Sequence, residues 1–300
     1  MPSASTIRPI TPEEIPVCSR IFYEAMNELH VRKHLPAEDG SDDAWIRTAL
    51  GRGLRTDPGS TLLALDGDEP VAFGSASRRG DYWFLAFLFV LPTAQARGVG
   101  RSILDVLLPA DRADLRLATV VESFQPVSTG LYASFGMTPR TPMYRLTGLR
   151  DPSALPPLPN GVTAEPLTED LLDACAPLTR EVLGFERPDD LRDWLGDAVT
   201  ARAYRRRDGG VIGYGFLDGE NWTSPVASTD EPLSAAIVGD LLRGTEAPQE
   251  AKIGVLGWSG TLLRTLLGAG MRIDQDPYIY CATDTDLPHP AYTPYAAFLP

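Results

Sequence analysis

Gln95, Gly98 and Gly100 stand in the pattern Gln-x-x-Gly-x-Gly, just after an apolar run, Phe87-Leu88-Phe89-Val90, that leaves in Val-x-Pro. A periodic apolar segment, Val99 to Leu108, follows at once. Strand, short glycine loop and helix N-terminus together form an arrangement that holds a pyrophosphate. Amide N–H groups of the first helical turn have no partner within the helix, and the helix dipole there favours negative charge. Gly98 and Gly100 lack Cβ atoms, so the main chain can approach phosphate oxygens closely. Other phosphate loops fit less well. No Lys-Ser/Thr follows the glycines, as a P-loop requires, and a dinucleotide fold places its loop after the first strand. Here several strand-like segments precede it.

The remaining chemistry-bearing residues narrow the class. Cys18, Cys175 and Cys281 are far apart and form no CxxC pair, which predicts reduced thiols in a cytoplasmic protein with neither disulfide nor metal site. No apolar run approaches the roughly 18 residues of a membrane helix. The start, Met1 to Thr6, lacks the basic and apolar regions of a secretion signal. The net charge is −13, with 40 acidic against 27 basic residues. Most of the excess lies beyond residue 150, so neither half offers the basic surface that a nucleic acid needs.

The elements that must position the loop are legible. Ile7 to Ile10 reads as a strand. Thr11-Pro12-Glu13-Glu14 is a helix start with Thr as cap, Pro at the first position and Glu at the third. That helix runs to about His30, and a second covers Ser41 to Arg55. Strands are expected near 61–66, 70–79 and 82–90, then the loop and its helix. Leu115 to Val121 is a strand, Val127 to Phe135 a helix and Met143 to Leu146 a last strand. Asp151 to Gly161 carries four prolines and reads as a semi-extended spacer.

The chain beyond the spacer repeats the chain before it. Pro9-Ile10-Thr11 and Cys18 recur as Pro166-Leu167-Thr168 and Cys175, and Phe135-Gly136-Met137 as Ala269-Gly270-Met271. Pro142-Met143-Tyr144 similarly resembles Pro277-Tyr278-Ile279. Helices are expected near 168–183, 189–199, 231–243 and 260–268. The pattern predicts an α/β fold, a mixed sheet in each of two tandem domains: 1–150, a linker at 151–161, and a pruned copy at 162–300.

Two motifs resemble the GNAT superfamily of acetyl-CoA-dependent N-acetyltransferases. Val90-x-Pro92 with Gln95-x-x-Gly98-x-Gly100 is similar to the family's coenzyme A pyrophosphate loop. Gln125-x-x-Ser128-x-x-Leu131-Tyr132-x-x-x-Gly136-Met137 is similar to its later Asn-x-x-Ala-x-x-x-Tyr-x-x-x-Gly-Phe segment, with Gln125 for Asn and Ser128 for Ala. The resemblance implies that Leu88, Phe89 and Val90 meet the pantetheine and thioester. Gln95, Ala96, Arg97, Gly98, Val99, Gly100 and Arg101 would hold the pyrophosphate, and Gln125 and Ser128 would flank the coenzyme. Tyr132 would be the general acid that protonates the departing thiolate. Where many relatives carry a strand glutamate, this chain has Phe84. Glu24, Glu28, His30, Asp81 and Glu122 are alternatives for a general base, as is a water relay. Tyr23, Asn27, Glu28, Tyr82, Trp83 and Phe84 would line the acceptor site, an aromatic wall with carboxylates that suits an amine.

The second half departs from this pattern. Ser224 to Pro232 has no glycine and two acids where the loop belongs, and Leu266 stands at the position of Tyr132. The second domain is therefore expected to be degenerate and to bind no coenzyme. The expectation for the chain is a cytoplasmic N-acetyltransferase, a monomer or homodimer without a metal, that moves the acetyl group of acetyl-CoA to a small primary amine. A coenzyme A-binding sensor and a protein N-acetyltransferase are the alternatives.

Overall fold

A computed structural model describes residues 6–40, 43–207, 209–283 and 288–296. The chain falls into two compact units, Met1–Ala118 and Thr119–Pro300, both of mixed α/β construction. Residues 1–5, considered for a leader, and Ser41, expected at a helix start, lie outside the described residues.

The first unit opens with β1 (Thr6–Pro9), a 3-10 turn (Pro12–Glu14), α1 (Ile15–Arg32) and α2 (Ala44–Thr56). Then come β2 (Thr61–Asp66), β3 (Glu69–Arg79), β4 (Tyr82–Val90) and α3 (Val99–Leu107). The four strands are antiparallel in the order β1-β2-β3-β4. The Thr11 N–H donates to the Glu14 carboxylate at 2.9 Å, and Arg8 donates to both Glu14 oxygens at 2.8 and 2.6 Å. This cap fixes the turn from β1 into α1. Asp57, just past α2, accepts from the Arg78 N–H and the Arg79 guanidinium, and that mostly buried pair ties the end of α2 to β3.

A satellite core of Ala64, Ala72, Ala94, Val99 and Ile103 seats α3 on the sheet. Gly74 of β3 makes this possible. A Cβ there would stand 2.6 Å from the Ile103 side chain and 3.0 Å from Leu107. Any larger residue would lift the helix that carries the glycine loop.

From the first unit, β5 (Arg116–Glu122) carries the chain into the second. Next come α4 (Pro126–Ala133), β6 (Thr138–Thr147), a 3-10 turn (Pro152–Ala154) and β7 (Val162–Pro166). The chain continues through α5 (Glu169–Leu183), α6 (Pro188–Asp197), β8 (Ala198–Arg206), β9 (Val211–Asp218) and β10 (Val226–Ser228). It ends with α7 (Glu231–Leu242), β11 (Lys252–Leu256), α8 (Gly260–Gly268), β12 (Arg272–Ile273) and β13 (Tyr278–Ala282). From β7 onward the succession repeats that of β1 to β6. The β7 to β10 strands form their own antiparallel sheet in the order β10-β9-β8-β7. Local geometry repeats as well. Gly136 and Gly270 both adopt positive φ after their helices, with the Met137 N–H donating to the Tyr132 carbonyl and the Met271 N–H to Leu266, each at 3.1 Å. This is the six-to-one closure of a Schellman motif.

The last strand of the first repeat is longer than the expected 143–146. Over Thr138–Met143 it pairs antiparallel with β13, and over Met143–Thr147 with β11, while β12 joins at Leu146 and Thr147. Strands of the second repeat thus complete their pairing on a strand of the first. That sharing draws Thr119–Thr147 into the second compact unit, upstream of the proline-rich segment. The proline-rich segment is itself anchored: Leu155 is buried, and Arg243 donates to the carbonyls of Leu155 and Pro156.

The Arg8 guanidinium holds the Glu14 carboxyl down to about 2, from an ordinary 4.5. A folded-state value below the unfolded one stabilises above pH 4.5, and this contribution fades as the pH falls toward 2. Glu14→Gln should therefore lower the thermal midpoint at pH 7, with the difference from wild type shrinking through that window. Melts between pH 2 and 7 check this.

Candidate functional site

In the first unit the glycine loop is built as its residue types demand. After Leu91 the chain makes a 3-10 turn, Pro92–Ala94, and the Gln95 side chain donates back to the Val90 carbonyl at 3.1 Å. Ala96 has φ +60° and Gly98 +82°, so two left-handed residues turn the main chain into α3. Gln95, Ala96, Arg97 and Gly98 are exposed, and a Cβ placed on Gly98 would meet nothing within 4 Å. Among the described residues, the backbone N–H groups of Ala96, Arg97, Gly98, Val99 and Gly100 donate to no protein acceptor. Arg97 reaches Asp66 at 3.3 Å across the surface, and Arg101 stands in the first turn of α3. The result is an exposed run of amide donors at a helix N-terminus, an arrangement suited to a diphosphate.

The strand before the loop carries a bulge. Ser75 pairs with Phe87 and Ala76 with Leu85, leaving Ala86 as the extra residue of β4. Past the bulge Leu88, Phe89 and Val90 are partly exposed, whereas Tyr82, Trp83, Phe84, Leu85 and Phe87 are buried. Tyr82 and Phe84 stack on each other, and the Arg116 guanidinium lies over the Tyr82 ring. The expected wall of Tyr82, Trp83 and Phe84 is thus packed inside the unit. An aromatic group of Phe22, Trp45, Phe73, Phe87 and Phe89, with centroids 4.7 to 6.4 Å apart, joins α1 and α2 to β3 and β4. Trp45 is its exposed member and donates to the Tyr23 hydroxyl at 3.3 Å. Sequence reasoning missed Trp45, although its place on α2 above an aromatic strand was a usable signal.

The polar residues of α1 separate by environment. Glu24 is exposed and paired with Arg20 one turn away. Asn27 spends its whole amide on the Glu38 backbone, donating to its carbonyl at 2.7 Å and accepting from its N–H at 2.8 Å. His30 sits against the Pro36 carbonyl. Glu28 pairs with Arg32 through Oε1, while Oε2 is buried and has no hydrogen-bond partner among the described residues. Asp81 is held below the usual carboxylate range chiefly by hydrogen bonding to Arg116.

In the second unit Tyr132 lies on α4 and is buried. Burial pushes its phenol above the ordinary 10, with the nearby Cys281 a lesser cause. It therefore keeps its proton across the neutral range. Ser128 is on the same helix, and Gln125 precedes it as the cap. Glu122 ends β5, and its carboxylate lies near the half-buried Tyr278, whose phenol is raised first by burial and then by that charge. At the start of α7 the two acids noted in the sequence have structural partners. Asp230 accepts from the Leu233 N–H at 2.9 Å, and Glu231 accepts from the N–H groups of Thr261 and Leu262 at the head of α8.

Among the described residues no group of three or more His, Cys, Asp or Glu is placed to hold a metal, and no helix is long and apolar enough to cross a membrane.

Residues 21–137 match the sequence profile of the acetyltransferase (GNAT) family. No curated protein sequence matches the chain significantly. Among solved structures, a protein from Pyrococcus horikoshii assigned as an acetyltransferase aligns over 99% of this chain and 96% of its own, with a TM-score of 0.76 and 16% identity. A GCN5-related N-acetyltransferase from Sphaerobacter thermophilus covers 94% of this chain and 96% of its own, at 0.63 and 18%. A tandem GNAT protein from the clavulanic acid biosynthesis pathway covers 93% and 98%, at 0.57 and 14%. At these identities the structures bear on the fold alone. The chain thus has the fold of tandem GNAT proteins, and residues 21–137 are similar in sequence to the GNAT acetyltransferase family.

Proposed function

We propose that the first repeat, residues 1–150, binds acetyl-CoA and transfers its acetyl group directly to a primary amine of a small molecule. The second repeat, 162–300, binds no coenzyme. The observation that carries this reading is the run of five exposed-loop amides, Ala96 to Gly100, that donate to no acceptor among the described residues. The coenzyme supplies an activated acetyl thioester. The amides, with Arg97 and Arg101 near them, hold its diphosphate, and Gln125 and Ser128 are assigned to the coenzyme by their places in the motif of α4. Main-chain groups of Leu88, Phe89 and Val90 pair with the pantetheine, and an N–H among them polarises the thioester carbonyl. Tyr132 gives its proton to the departing sulfur.

For the acceptor we favour α1 and β4. Glu28 is the carboxylate best suited to an ammonium, because one of its oxygens is desolvated without a partner. Trp45 and Phe89, backed by Tyr23 and the buried ring stack below, give an apolar face for the rest of the amine. Glu24 and Glu122 are secondary candidates for taking up its proton. The three buried, unbridged thiols suit a cytoplasmic setting.

Gly98→Glu puts a carboxylate and a left-handed Cβ into the loop, and should weaken acetyl-CoA binding by roughly tenfold or more. Calorimetry measures this, and unchanged affinity rejects the loop. Tyr132→Phe should lower kcat by about tenfold or more with KM for acetyl-CoA little changed. Because burial raises this phenol, no alkaline loss of kcat below pH 10 should trace to it. Glu28→Gln should raise KM for the amine by about fivefold or more and leave KM for acetyl-CoA unaltered. A panel of amines assayed by thiol release supplies both constants.

A further inference from the structure

In the second repeat, the strands corresponding to β4 and β5 are β10 and β11. They begin side by side and then part. The Thr223 N–H donates to the Lys252 carbonyl at 2.8 Å and the Lys252 N–H to Asn221 at 2.9 Å, with a parallel bridge at Trp222 and Lys252. By Val226 they belong to different sheets. A V of this kind leaves the facing main-chain groups of both strands without ladder partners.

The V is filled by the chain itself. The Thr293 N–H donates to the Val226 carbonyl at 2.8 Å, and the Val226 N–H donates to Thr293 Oγ1 at 2.7 Å. On the other side Pro294 lies against β11, where a Cβ on Gly254 would touch its ring and its carbonyl oxygen at 3.4 Å. One step back, the Ala291 carbonyl accepts from Ser234 Oγ in the first turn of α7 at 2.7 Å. That is the helix end which, in the first repeat, follows the glycine loop. The helices on the acceptor side also hold the segment. The His289 N–H donates to the Val182 carbonyl at the end of α5. The Tyr292 hydroxyl accepts from Arg187, itself ion-paired with Asp190 in full burial, and Tyr295 stacks on Trp194 of α6. Ala291, Tyr292, Thr293 and Pro294 are all buried.

We infer that the second repeat retains a coenzyme-type cleft and that residues 291–295 are its permanent ligand. They take the strand-edge hydrogen bonds that a pantetheine arm would take, and seat a carbonyl at the helix start where a diphosphate would lie. The cleft is a site for an extended peptide, satisfied in cis. This rests on the proposed assignment of acetyl-CoA to the first repeat, and it explains how the second can lose its glycine loop without leaving an open groove. A buried strand edge needs a partner, and a peptide supplies one wherever the pocket no longer attracts phosphate.

Hydrogen exchange on the full chain, with and without acetyl-CoA, tests it. Expected is exchange at the Thr293 and Val226 amides roughly a thousandfold slower than in an unstructured peptide. That protection should be unchanged by acetyl-CoA, while the amides of Ala96 to Arg101 slow on binding. Calorimetry should give one equivalent per chain. Thr293→Val combined with Tyr295→Ala should speed exchange at Val226 by about tenfold or more. A synthetic peptide spanning 288–300 should slow it again, whereas a scrambled peptide should not. Unprotected amides at Thr293 and Val226, a second equivalent of acetyl-CoA, or failure of the peptide to restore protection would each overturn the inference. Protection at Thr293 with no response of Ala96 to Arg101 would instead reject the coenzyme assignment and leave the filled cleft standing.

Discussion

Main-chain hydrogen bonding governs this molecule more than any single side-chain contact. When neighbouring strands diverge, each carries donors and acceptors into the gap, and burial of those groups without partners costs about 1–3 kcal/mol apiece. A ligand or a peptide with amide groups can fill such a gap by completing the sheet. The two repeats meet the same demand differently. In the first, a run of exposed amides stands ready at a helix start. In the second, backbone from the same chain occupies the gap, and the helix start is closed by Asp230 and Ser234.

Packing reflects that division. Gly74 in the first repeat lets α3 settle on β3, and Gly213 and Gly215 do the same for α7 on β9, where Cβ atoms would come within 2.5 and 2.9 Å of Ile237 and Leu241. The same close helix–strand contact is therefore kept in form while the chemistry at the helix head differs. Tyr132 and Leu266 make the contrast clear. They occupy matching buried positions above matching left-handed glycines, yet only one carries a proton.

Much of this was legible in the order of residues. The bounds of β2 and β4, the cap at Thr11 and Glu14, the glycine loop ahead of α3, and the four helices of the second half follow from local rules of periodicity, capping and glycine placement. Other features depend on partners far along the chain. The length of β6 could not be read from Thr138 to Thr147, since prolines at 139 and 142 argue against a strand until its distant partners are known. The aromatic run of β4 looked like a pocket wall, but its bulge at Ala86 turns Phe84 and Phe87 alike into the core. Residues 288–296 carried no periodicity at all, because their structure is dictated by the cleft that receives them. Glu28 was one of several acids on α1, and only burial of Oε2 set it apart from Glu24.

The placement of β6 has a consequence for the order of events during synthesis. Its partners, β11 and β13, leave the ribosome only after about a hundred further residues have been made. Until then Met143 to Thr147 presents an uncovered strand edge, the kind of surface that pairs with another nascent chain. The first repeat can assemble its loop and helices early, but the sheet edge beside Tyr132 closes last. The timing of translation therefore bears on solubility during biogenesis, and a pause between residues 150 and 250 lengthens the exposure.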